Sequence, residues 1–146
     1  EFEKSEIKMP KINLVIGPLY RKNTIENIKS YLSANHFNCM VMHSPRNVER
    51  LFGSNDVVFC GGGTTLLEAM SVGLPAFVIP QTSEELNHAT YHKNSNCCFV
   101  VDDRLVGISM INESRVLTKI SKNGMKAIDQ KGAEKIWNIL KDLLGE

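Results

Sequence analysis

Residues 56–80 hold an apolar run, Val57-Val58-Phe59-Cys60, that breaks at Gly61-Gly62-Gly63-Thr64-Thr65. Leu66, Leu67, Ala69 and Met70 follow at helical spacing, then Gly73-Leu74-Pro75, then a second apolar run, Ala76-Phe77-Val78-Ile79. Runs that are apolar without alternation belong to strands covered on both faces. A helix between two such strands returns the chain to the same end of the sheet, so the strands are parallel. The pattern therefore constrains the chain to an α/β fold. It also places a glycine turn at a helix N-terminus, where bare N–H groups and the helix dipole favour an anion. Such a loop is a candidate phosphate cradle.

The flanking sequence repeats the alternation. Strands are predicted over residues 12–16, 39–42, 56–60, 76–79 and 97–101. A helix capped by Asn23 or Thr24 follows the first strand, and a short one capped by Asn47 runs to Leu51. Residues 64–72 form the helix after the glycine loop, and Ser83 caps another that reaches about Lys93. Helices are predicted over residues 113–122 and 133–144. The second carries Ile136, Trp137, Leu140 and Leu144 along one face, a stripe that reads as core. The fold class is α/β, a doubly wound, Rossmann-like parallel sheet. Ligands of such sheets bind beyond the carboxyl ends of the strands, which directs attention to loops 17–23, 44–46, 61–65, 80–87 and 102–104.

The chain has 146 residues, enough for one domain, which we place at residues 11–146 with residues 1–10 as a tail or an artificial boundary. A net charge of +1 gives no electrostatic case for nucleic acid or an anionic membrane as partner. No run of about 20 apolar residues is present to span a bilayer. The cysteines, Cys39, Cys60, Cys97 and Cys98, fit no zinc spacing and read as free thiols in apolar surroundings, which suits a reducing, cytoplasmic compartment.

Candidate binding residues cluster after the strands. Gly61, Gly62 and Gly63 are expected to supply positive φ and let a diphosphate approach the backbone, with Thr64 or Thr65 offering a hydroxyl. The loop is neither a Walker A sequence nor the usual dinucleotide fingerprint, because the Lys and the glycine spacing are missing. Glu68, one turn into the helix, is placed to take two ribose hydroxyls. Gln81, Glu85 and Asn87 offer amide and acid groups suited to sugar hydroxyls. Gly17 opens a second candidate wall, where Arg21 and Lys22 stand as either phosphate partners or solvated cations. His88 and His92 share a helix face at i, i+4 spacing, but no third ligand is placed, so no metal is expected. No Ser-His-Asp order, Cys-His pair or paired carboxylate motif stands out, and no catalytic residue is assigned.

Residues 62–80, with Gly-x-x-Thr-x-x-Glu (preceded by Gly61 at the family's Ala/Gly position), Gly-Leu-Pro-Ala and a strand ending in Pro, resemble the C-terminal nucleotide-binding domain of GT-B glycosyltransferase-like proteins of the family 28 branch. The opening Ile16-Gly17-Pro18 and the segment Ile128-Asp129-Gln130-Lys131-Gly132-Ala133 are similar to the subgroup of the UDP-sugar hydrolase of pseudaminic acid synthesis and its spore-coat polysaccharide relatives. The resemblance implies that loop 61–65 holds the diphosphate of a UDP-sugar, that Glu68 binds the ribose, and that residues 81–87 meet the sugar or the nearby phosphate. It implies no cofactor, since helix-end N–H groups take a cation's part. It also implies a partner, either an N-terminal domain or a separate catalytic subunit. The hydrolase's histidine base lies in that other domain, so none of His36, His43, His88 or His92 inherits its role. A non-catalytic nucleotide-sugar-binding or scaffold subunit is the alternative.

Overall fold

The computed structural model describes residues 10–101 and 110–145. It divides into two compact units, Glu1–Val48 and Glu49–Glu146. Both are parallel α/β, as the alternation implies.

The first unit is a single strand–helix–strand crossover. Strand β1 (Ile12–Ile16) pairs in parallel with β2 (Cys39–His43), in register from Ile12 opposite Cys39 to Ile16 opposite His43. Helix α1 (Lys22–Ala34) joins them and buries Ile25. It starts earlier than its capping residues predict. Arg21 is the N-cap in extended conformation and offers no side-chain bond, while Asn23 Oδ1 accepts only from the adjacent Thr24 N–H. His36 takes a positive φ of 56° to turn the chain from α1 into β2.

The second unit opens with α2 (Glu49–Phe52), which runs one residue beyond Leu51 and buries Phe52. Strands β3 (Val58–Cys60), β4 (Ala76–Val78) and β5 (Phe99–Val100) form a parallel sheet in the order β3-β4-β5. The central strand β4 is buried at every position, and Phe77 stacks on Phe59 at a ring-centroid distance of 5.2 Å and meets Phe99, tilted, at 5.7 Å. β3 is shorter than the apolar run because its ladder begins only where β4 does, with Val58 N–H bonded to Pro75 O. β5 is shorter because Cys97 N–H is tied to His92 O at the end of the preceding helix.

Helices α3 (Thr64–Ser71) and α4 (Ser83–Asn94) follow β3 and β4. Leu66 and Met70 of α3 are fully buried beside Phe77 and Val78 in the core. The cap of α4 falls one residue before Ser83. Thr82, in extended conformation, accepts from Glu85 N–H at 3.2 Å. Helix α5 (Ser114–Ala127) runs five residues beyond its predicted end, because Gly124 continues the helix where it meets α3. A Cβ at Gly124 would lie 3.2 Å from Met70 Cα and O, so the missing side chain lets the two helices pack a few tenths of an ångström closer than an alanine would.

Helix α6 (Gly132–Leu144) corrects one expectation. It buries no residue, and Ile136, Trp137, Leu140 and Leu144 are exposed rather than core. Its stripe is amphipathic, but no other described element covers it. The segment before it is a tied turn. Asp129 accepts from Lys131 N–H and pairs with Lys135, and Gln130 Nε2 donates to Ser71 O at 2.6 Å.

Candidate functional site

The register of the second sheet sets the carboxyl ends of Cys60, Val78 and Val100 level. Two described loops that leave this edge, residues 61–63 and 79–82, each open directly into a helix. The α4 N-terminus is satisfied by its own Thr82. The α3 N-terminus is not: Gly63 is its N-cap and carries no side chain to accept a bond. The first N–H groups of a helix have no i−4 acceptor; Leu66 N–H bonds Gly63 O at 3.2 Å, and those of Thr64 and Thr65 are the ones offered to an anion.

The glycines work differently from expectation. None of Gly61, Gly62 and Gly63 has a positive φ; Gly63 is extended at φ −86°. What they provide is close approach to the first turn of α4. A Cβ on Gly62 would lie 2.3 Å from Glu85 O and 2.9 Å from Glu85 C. A Cβ on Gly61 would lie 2.9 Å from the Glu85 carboxylate, whereas one on Gly63 would meet that carboxylate at an ordinary 3.8 Å.

Glu85 is therefore built into the loop. Its carboxylate accepts from Gln81 N–H at 2.9 Å and is half-buried. Burial, and secondarily the Glu85 charge, push the Cys60 thiol up to about 11. Gln81 turns its own amide back onto Ile79 O at 3.0 Å. Glu68, Thr64 and Asn87 are exposed, and Thr65 is half-buried. Glu68 stands five residues into α3, where its carbonyl accepts from Ser71 Oγ. Nine of the ten candidate residues thus lie in the second unit, around loops 61–63 and 79–82. Gly17 belongs to the first, where its carbonyl accepts from Tyr20 N–H at 3.4 Å. Arg21 and Lys22 begin α1 and are exposed. Residues 102–104, the last of the five candidate loops, lie outside the described residues.

One contact was not anticipated. His88 Nδ1 lies 2.5 Å from Gly62 O, and its Nε2 lies 3.3 Å from His92 Nε2. The i, i+4 spacing of the pair is visible in the sequence, but its attachment to the glycine loop is not. Burial, and then His88, lower the pKa of His92. Among the described residues, no group of three or more His, Cys, Asp or Glu side chains is arranged to hold a metal ion. Shallow clefts lie beside α1 and β2, near Leu32, Phe37 and Val41, and beside α5, near Pro75, Leu117 and Met125. Neither is lined by a candidate residue. No described helix is long and apolar enough to cross a membrane.

A parallel α/β unit with a glycine loop feeding an uncapped helix N-terminus defines a Rossmann-like domain, and solved structures share it. The structure superposes on the crystal structure of SsfS6, a Streptomyces glycosyltransferase, with a TM-score of 0.54 at 19% identity, over 86% of this chain and 38% of that one. The glycosyltransferase family 28 C-terminal domain matches residues 4–143, and the chain belongs to that family. It is also 26% identical over 111 residues to the UDP-N-acetylglucosamine--N-acetylmuramyl-(pentapeptide) pyrophosphoryl-undecaprenol N-acetylglucosamine transferase of Ruminiclostridium cellulolyticum. That match covers 67% of this chain and 30% of the relative, so the chain spans about a third of the length of the proteins it resembles.

Proposed function

We propose that this chain is the nucleotide-sugar-binding half of a glycosyltransferase or nucleotide-sugar hydrolase of bacterial surface-glycan synthesis, and that it holds UDP at the glycine loop. The observation that carries the reading is the uncapped N-terminus of α3 at the carboxyl edge of the sheet, in a chain of the family 28 C-terminal domain. The N–H groups of that turn would receive the diphosphate, and Glu68, exposed one turn further on, would accept the ribose hydroxyls. Asn87 is exposed on the neighbouring helix and faces solvent, as a sugar contact requires. Backbone donors aimed at the diphosphate would stabilise the charge that grows on it as the bond to the sugar breaks. Within surface-glycan chemistry, a hydrolase of the pseudaminic acid type is the finer reading, and it rests on the resemblance at residues 16–18 and 128–133. A cytoplasmic location accords with the free thiols.

Calorimetric titration with UDP tests the reading, with CMP and ATP as comparators and Glu68→Ala as control. Saturable UDP binding that weakens in the variant supports it. Absence of nucleotide binding overturns it for this chain.

A second reading is favoured by α6, whose exposed Ile136, Trp137, Ile139 and Leu140 suit a subunit interface. In that reading the chain serves a separate catalytic subunit, and its solution mass alone and with candidate partners distinguishes the two.

A further inference from the structure

The Gly62–Gly63 peptide has glycine on both sides, so its own side chains do not restrict its orientation. Two contacts hold it. On one side the backbone of Glu85 presses against Gly62 so closely that no Cβ fits. On the other, His88 reaches Gly62 O with Nδ1. A carbonyl oxygen only accepts, so Nδ1 carries the proton in this contact. The peptide is planar and trans, so fixing the direction of Gly62 C=O fixes Gly63 N–H in the opposite direction, away from His88. Gly63 is the N-cap of α3. The His88 bond therefore sets the orientation of the peptide that leads into the anion-binding turn.

His92 completes the arrangement. A neutral His88 with its proton on Nδ1 has a bare Nε2, which needs a donor. His92 Nε2 stands 3.3 Å away, and the two rings meet edge to face at a centroid distance of 4.8 Å. His92 is buried and its ring also meets that of Tyr91 edge to face at 5.1 Å, so it is itself held in place.

We propose that His88 is the positioning residue of the glycine loop, orienting the Gly62–Gly63 peptide for a diphosphate ligand, with His92 selecting the His88 tautomer. The ligand part of this proposal rests on the nucleotide reading above; the positioning part stands on the contact itself.

The test uses isotope-labelled protein, UDP as the probe, and three variants. His88→Asn keeps an amide N–H near the position of Nδ1. His88→Gln moves that N–H outward to the position of Nε2. His88→Ala removes it. In the unsubstituted chain, nitrogen NMR of the imidazoles should find the His88 proton on Nδ1. His88→Ala and His88→Gln should lower the backbone order parameters of Gly62 and Gly63 and weaken UDP binding about tenfold, the loss of one hydrogen bond. His88→Asn should restore both to within about threefold of the unsubstituted chain. A proton on Nε2, unchanged loop order in His88→Ala, or equal rescue by Gln and Asn overturns the proposal. If the unsubstituted chain binds no UDP, the nucleotide reading fails. The tautomer and the loop order then still decide whether His88 holds the loop.

Discussion

Replacing the three loop glycines with alanine, one at a time, separates what each contributes. At Gly62 the new Cβ would lie 2.3, 2.9 and 3.0 Å from Glu85 O, C and Cα. All three atoms are backbone, so no rotamer change relieves the clash, and the first turn of α4 must move by roughly 1 Å to restore ordinary contact at about 3.4 Å. Overpacking of that size costs about 1–3 kcal/mol. The displacement also breaks the bonds from Gln81 N–H to Glu85 and from His88 to Gly62 O, at about 1 kcal/mol each. Gly62→Ala should therefore destabilise the chain by about 3–5 kcal/mol, a large part of a domain's ordinary stability. At Gly61 the clash is with the mobile end of Glu85, which can swing away at the loss of its bond to Gln81, so about 1 kcal/mol is expected. Gly63 has room and an extended φ, and Gly63→Ala should fall within about 0.5 kcal/mol of the original. Urea unfolding followed by circular dichroism gives the three values. The reasoning is refuted if Gly62→Ala loses less than about 1 kcal/mol, or if Gly63→Ala is as damaging as Gly62→Ala.

Other expectations follow from the same contacts. Gly124→Ala should destabilise by about 1–3 kcal/mol through its clash with Met70, opposite in sign to the roughly 1 kcal/mol gain that helix propensity alone assigns; thermal unfolding decides the sign. Gly73→Ala should cost about 1–2 kcal/mol from its φ of +73°, read in the same way. The pKa of His92 is lower folded than unfolded, so the unfolded chain takes up its proton first, and stability falls as pH drops below the ordinary histidine value until the folded form is protonated too. His92→Gln should flatten the stability difference between pH 7 and pH 5, and an unchanged slope would contradict the assignment. Burial holds the Cys98 thiol up at about 12, so Cys97 and Cys98 should react with a thiol reagent only on unfolding, and mass spectrometry of native labelling should find both unmodified.

Much of the architecture was legible because it rests on local chemistry. Unbroken apolar runs at residues 57–60 and 76–79 read as strands, and the helix between them made those strands parallel; β4 is covered on both faces, but β3 lies at the edge of the described sheet and leaves Phe59 exposed. The glycine loop and the helix start at Thr64 follow from the same local rules. Errors appeared in cap placement, at helix ends and wherever a contact distant in sequence decided the outcome. Ser83 looked like a cap, but the backbone of Thr82 is the one in extended conformation. The helix expected over residues 113–122 runs on to Ala127, with Gly124 packed against Met70. Trp137 and its neighbours read as core because periodicity records an apolar face but not whether anything covers it.

The same division runs through the candidate site. Sequence alone determined that a glycine loop opens a helix at the carboxyl edge of a parallel sheet, because turn chemistry and hydrophobic period act over a few residues. Only the tertiary structure decided what the glycines are for. Positive φ was the expected reason, and close approach to Glu85 is the observed one, since that depends on where the α4 backbone passes, some twenty residues later in the chain. It also decided that His88 faces the loop rather than solvent, because a hydrogen bond across 26 residues is fixed by packing and leaves no local pattern to read.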